Sequence, residues 1–155
     1  MNRRQALAAT KAALAATAAV ALAARTDAAE AADAATLRML DEFAAAWNRH
    51  DVDTLMACMT PDGVFESAAG TEVAGTRHVG AAAVRKAFAA IFVTYPDARW
   101  NQPRHFVAGD RAVTEWTFTG TTKDGARVEV NGCDLFTLRG GKIALKNSYR
   151  KQRTA

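Results

Sequence analysis

The stretch VEVNGCDLFTLRGGKI, residues 128–143, alternates polar and apolar side chains up to a pair of glycines. Successive side chains of a strand point to opposite faces. Val128, Val130, Gly132, Asp134, Phe136 and Leu138 therefore share one face, and Asp134 is its only charge. A carboxylate among apolar groups is costly unless it is hydrogen-bonded or keeps its proton. Asp134 either has a partner or serves chemistry, and its valine and phenylalanine neighbours favour the neutral acid. Gly140-Gly141 predicts a two-residue hairpin loop. In that register Leu138 faces Ile143, Phe136 faces Leu145, Asp134 faces Asn147 and Gly132 faces Tyr149. Asn147 is then the first candidate partner for the acid, with Tyr149 on the same face.

Working outward, the segments RHFVAG, RAVTEWTFTGT, ARVEVNGCDLFTLR and KIALKNSYRK read as strands. They are separated by Gly-Asp at 109–110, Lys-Asp-Gly at 123–125 and the glycine pair. Before them the pattern is helical. From Thr36, Leu40, Phe43 and Trp47 recur at three- and four-residue steps. Asp51 is placed to cap a second short helix, DVDTLMACM, which Pro61 ends. GVFESAA, 63–69, reads as a short strand. A third helix follows Gly80, with Val84, Phe88 and Ile91 or Phe92 on its buried face. Helices first and an antiparallel meander afterwards make an α+β domain.

The 155 residues suffice for one domain with a core. The net charge of +4 depends on Arg3, Arg4 and Lys11; past residue 23, 17 basic residues face 16 acidic ones. That balance argues against nucleic acid as a partner. Lys142, Lys146, Arg150, Lys151 and Arg153 form a basic C-terminal edge, read as solvated strand-edge charge. Cys58 and Cys133 are too few for a disulfide framework and read as two buried thiols. Residues 1–23 have a charged start, an alanine-rich middle and small residues at Ala21-Leu22-Ala23, the three-part pattern of an export signal. Arg3-Arg4 resembles the twin-arginine type. Residues 24–35 read as a linker and 36–155 as the folded domain. Alanine is only weakly apolar, so the segment predicts no membrane span. The expected location is periplasmic or secreted, or cytoplasmic if residues 1–23 are not a signal.

The run AAAWNRHDVDTLMACMTPDGVFESAAG, with G-x-D-x-F and GGKI, resembles the SnoaL-like branch of the nuclear transport factor 2-like superfamily across about residues 36–151. The resemblance implies a cone, in which a curved antiparallel sheet wraps three N-terminal helices around an apolar pocket. It also implies a homodimer formed through the sheet. Ketosteroid isomerases of this superfamily place a tyrosine in the first helix, a base in an early strand and an acid in a late one. Ungapped matching puts Phe43, Ser67 and Asp134 at those three positions. Ser67 cannot act as a carboxylate base and Phe43 cannot donate a proton, so only Asp134 keeps its role.

The sequence therefore predicts a small-molecule pocket protein binding an apolar or carbonyl-bearing compound, with cyclase- or isomerase-type proton transfer by Asp134. The alternative is a non-enzymatic binding or dimerisation module. Asp134 is the catalytic candidate. Phe43, Trp47, Glu66, Ser67, His105, Trp116, Asn147 and Tyr149 are candidates to line the pocket. No His/Cys cluster has metal-ligand spacing, and no glycine-rich phosphate loop or G-x-S-x-G occurs, so neither metal nor cofactor is expected.

Overall fold

The computed structural model describes residues 3–153, with side chains for 26–153. The side chains of the expected export signal, residues 1–23, lie outside the described set. Helix α1 spans Arg3–Arg49 and runs unbroken through 24–35, the stretch read as a linker. Alanine is the strongest helix former, which accounts for the continuity. The helix stops at His50, whose φ of 57° is left-handed. Asp51 then caps α2, Val52–Ala57: its carboxylate accepts from the Thr54 amide at 3.0 Å and the Thr54 hydroxyl at 2.6 Å.

Strand β1, Met59–Glu66, starts earlier than the sequence pattern predicts and contains Pro61. The proline is tolerated because β1 is irregular between Met59 and Val64, where a ladder hydrogen bond is not required of it. A three-residue strand, β2 (Arg77–Val79), was not legible in the sequence. Helix α3 spans Ala81–Thr94 and buries Val84 and Phe88 as expected. The meander follows: β3 Arg99–Ala108, β4 Arg111–Thr121, β5 Arg127–Arg139 and β6 Lys142–Arg150. The six strands form one curved sheet in the order β2-β1-β6-β5-β4-β3. It is not wholly antiparallel, because β1 pairs with β6 in parallel. The helix and meander between those strands give the long crossover that parallel pairing needs.

The hairpin decides the interior. Gly140 and Gly141 both have positive φ, 58° and 72°, as the expected two-residue loop requires. Arg139 faces Lys142 and Leu138 faces Ile143, also as expected. Beyond them the register shifts, since Thr137 faces Leu145 and Ala144 is the extra residue of a bulge. Asp134 therefore faces Ser148, not Asn147, and Phe136 faces Lys146.

The inner face of the sheet closes over α1 and α3. Leu40, Phe43 and Trp47 of α1 meet Val84 and Phe88 of α3, with Phe65, Phe136 and Ile143 from the strands. Trp47 lies 4.7 Å from the Phe88 ring and 4.6 Å from the Trp100 ring, centroid to centroid. A smaller apolar cluster of Ala98, Trp116 and Phe118 sits beside it, with Tyr95, Val128 and Val130 packed against it.

Candidate functional site

One residue of bulge turns Lys146 and Ser148 inward, toward Asp134. Asp134 Oδ1 accepts hydrogen bonds from Lys146 Nζ and Ser148 Oγ, each at 2.6 Å. Its Oδ2 accepts from Trp116 Nε1 at 3.0 Å. Lys146 Nζ also donates to Ser148 Oγ at 2.6 Å. The ammonium lies 4.9 Å from the Phe65 ring centroid and 5.6 Å from that of Trp47, within cation–π range. Asp134 and Lys146 are each only 4% exposed. The apolar setting expected for the acid is thus replaced by a closed polar cluster. Lys146, read from sequence as solvated edge charge, is its cation.

Gly132 makes the cluster possible. A Cβ there would come within 2.3 Å of Trp116 Cη2 and 2.4 Å of the Tyr149 carbonyl. The missing side chain lets the indole lie across β5 and point its N–H at Asp134.

A void of about 10 Å³ adjoins the cluster, lined by Leu40, Phe43, Ala44, Trp47, Trp100, Pro103, Thr114, Trp116, Asp134 and Phe136. That is space for about one water molecule. Trp47 Nε1 is buried with no hydrogen-bond partner among the described residues. An unpaired buried N–H is costly and would donate to an oxygen brought within reach. Trp47, which carries that unpartnered donor, and Asp134 both line the void.

Of the residues singled out in the sequence, Phe43, Trp47, Trp116 and Asp134 line this void. The other pocket candidates do not. Asn147 and Tyr149 lie on the outer face, where Asn147 Nδ2 donates to the Tyr149 hydroxyl at 3.1 Å and Tyr149 is 52% exposed. The bulge that brought Lys146 in turned these two out. Glu66 is buried, but it lies beside outward Asn147 in the register and is ion-paired to Arg77 at 2.6 Å. Ser67 braces the loop after β1, donating to the Ala69 carbonyl at 2.5 Å and accepting from the Thr76 amide at 3.2 Å. His105 stands behind the wall, with Nδ1 2.7 Å from Thr114 Oγ1. Its Nε2 lies 3.3 Å from Asp41 Oδ1, out of line for a hydrogen bond. Burial lowers the His105 pKa, outweighing the nearby Asp41 charge.

Sequence reasoning missed Lys146 and Ser148 because strict alternation from Ile143 places Leu145 inside and both polar residues outside. Leu145 looked like a good core residue, and nothing in the sequence marks Ala144 as the bulge. Cys58 and Cys133 are free thiols, and burial raises the pKa of each. Among the described residues no group of three or more His, Cys, Asp or Glu side chains could hold a metal ion.

The SnoaL-like domain family matches residues 40–146. No curated protein matches the chain. Among solved structures, an NTF2-like protein of unknown function from Mesorhizobium loti is 29% identical, with a TM-score of 0.64 over 76% of this chain and 92% of its own. A candidate polyketide cyclase from Xanthomonas campestris is 19% identical, with a TM-score of 0.66 over 74% and 89%. TerC, co-crystallised with polyporic acid, is 21% identical, with a TM-score of 0.64 over 76% and 92%.

Proposed function

The chain belongs to the SnoaL-like domain family of the nuclear transport factor 2-like superfamily, and on that premise we propose that it binds a small carbonyl compound against Asp134 and shifts a proton on it. The observation that carries this reading is the pairing, on one interior void, of a carboxylate with an unpartnered donor, Trp47 Nε1. In this reading the indole N–H polarises the carbonyl oxygen, which supplies the partner it otherwise lacks. Asp134 takes a proton from the carbon beside that carbonyl, leaving an enolate, and returns it at another position. Lys146 and Ser148 hold the carboxylate in place and offset its charge. A buried ion pair is no more stabilising than apolar side chains of the same volume, so its presence beside the void favours a chemical role. The cyclase names borne by structural relatives agree with enolate chemistry. Entry requires the void to widen where Trp100 and Pro103 of β3 meet Leu40 and Ala44 of α1. The reading includes export directed by residues 1–23 and a homodimer through the outer sheet face.

The size of the void, about 10 Å³, favours a second reading, a non-enzymatic module of the same fold. One experiment separates the two. The protein is incubated with 1-tetralone in heavy water, and deuterium uptake beside the carbonyl is followed by NMR. Catalysis predicts exchange about a hundredfold or more above buffer, loss of that exchange in Asp134→Asn, and a shift of the Trp47 indole proton. Buffer-rate exchange with an unmoved indole signal selects the module.

A further inference from the structure

Away from the void, a groove of about 810 Å³ opens between the loop at 68–70, the end of α3 and the C-terminal residues. Its floor is apolar. Tyr95, Val128 and Val130 line it, and the same three pack against the buried cluster of Ala98, Trp116 and Phe118. Its rim is cationic: Arg127, Arg150, Lys151 and Arg153 line the groove against one carboxylate, Glu129.

Among the described residues the four cations form no ion pair with an acid, although Arg127 acts on Asp97 electrostatically at longer range. Arg153 instead donates to the Glu129 backbone carbonyl at 3.2 Å, which holds the tail along β5. Lys151 N likewise donates to the Asn131 carbonyl at 2.8 Å. The tail is thus tied into one wall of the groove by its backbone and by one guanidinium. None of Asp134, Lys146, Ser148 or Trp47 lines this space.

We infer that the groove binds an apolar organic acid, its hydrocarbon body on Val128, Val130 and Tyr95 and its carboxylate among Arg127, Arg150, Lys151 and Arg153. The volume falls in the range of small-molecule sites, and such sites pair an apolar wall with a few polar groups that orient the ligand. Guanidinium groups suit a carboxylate because their N–H pairs match its two oxygens. Neither half of the site suffices alone: the apolar floor explains nothing about the charge, and the charge explains nothing about the floor. The inference goes beyond the carbonyl chemistry above and does not depend on it.

The test uses the full chain with valine methyl labelling and dodecanoate, titrated below its micelle concentration. The expected result is saturable binding with shifts confined to the methyls of Val128 and Val130 and their neighbours. Dodecanol, which has the body without the charge, binds about tenfold more weakly, as does dodecanoate to the Arg127→Gln/Arg150→Gln variant. Both arginines are exposed, and an otherwise unchanged methyl spectrum checks that the variant is folded. Asp134→Asn leaves dodecanoate binding intact, so failure here and failure of the proton-transfer reading are told apart. Equal affinity for dodecanol overturns the proposal, as does acetate competing as well as dodecanoate. Binding only to micelles or anionic vesicles also overturns it, pointing to a membrane surface. Absence of any shift up to the micelle limit overturns it outright.

Discussion

Asp134 was conspicuous in the sequence and its partners were not. An aspartate on an apolar strand face requires an explanation, and periodicity alone supplies that requirement. Naming the partner needs the register of β6, which turns on the one-residue bulge at Ala144. Phe43, Trp47 and Trp116 were legible because helix and strand periodicity place large apolar side chains inward whatever the register. Lys146 was hidden because a lysine is almost never fully buried unless paired. The pair makes a sharp prediction. Lys146→Met leaves Asp134 buried without its cation, and Asp134→Leu leaves Lys146 buried without its anion. Each single change should cost about 3–5 kcal/mol in urea unfolding, because an uncompensated buried charge remains. The double variant Asp134→Leu/Lys146→Met should regain most of that loss. Two single losses that simply add would show that the groups do not interact.

The void lies at the seam between α1 and β3, which several polar contacts cross, among them the Asn48 side chain donating to the Trp100 carbonyl and accepting from its amide. His105 on β3, against Asp41 of α1 and Thr114 of β4, is another. The sequence marked His105 as a pocket candidate but could not show that Thr114, its hydrogen-bond partner, takes the place on the void wall. Its titration gives the seam a pH dependence whose sign can be worked out. Burial puts the folded pKa below the ordinary value of 6.5, so the unfolded chain takes up a proton first as pH falls. His105 therefore contributes stability that is fully present above about pH 6.5 and is lost as pH drops through the unfolded and then the folded value. His105→Gln keeps a hydrogen-bonding group for Thr114 and removes the titration. Melting temperatures measured from pH 8 to pH 5 should fall more steeply for the wild type than for this variant. Parallel curves would mean that the folded and unfolded states hold the His105 proton equally well.

In the complete molecule, the buried face of α1 begins at Leu40, and Thr26 to Arg38 are exposed or half-exposed. The core residues among those described thus lie well past the segment read as an export signal. That segment carries Arg3, Arg4 and Lys11, no acid, and a small-residue run at Ala21-Leu22-Ala23, which fits a part removed after transport rather than one that folds with the rest. Helical propensity makes the whole stretch read as one element with α1, so helix alone does not separate an address from a domain. The division rests on which residues bury apolar surface, and stability can measure that. A chain of residues 24–155 should melt at the same temperature as the full chain, because it keeps every described core contact. In the cell, Arg3→Lys together with Arg4→Lys should hold the protein in the cytoplasm with its first 23 residues still attached, because twin-arginine export reads the guanidinium pair itself. Normal processing of that double variant rejects the twin-arginine route. A truncated chain that melts several degrees lower would place residues 1–23 in the fold and remove the reason to regard them as an address at all.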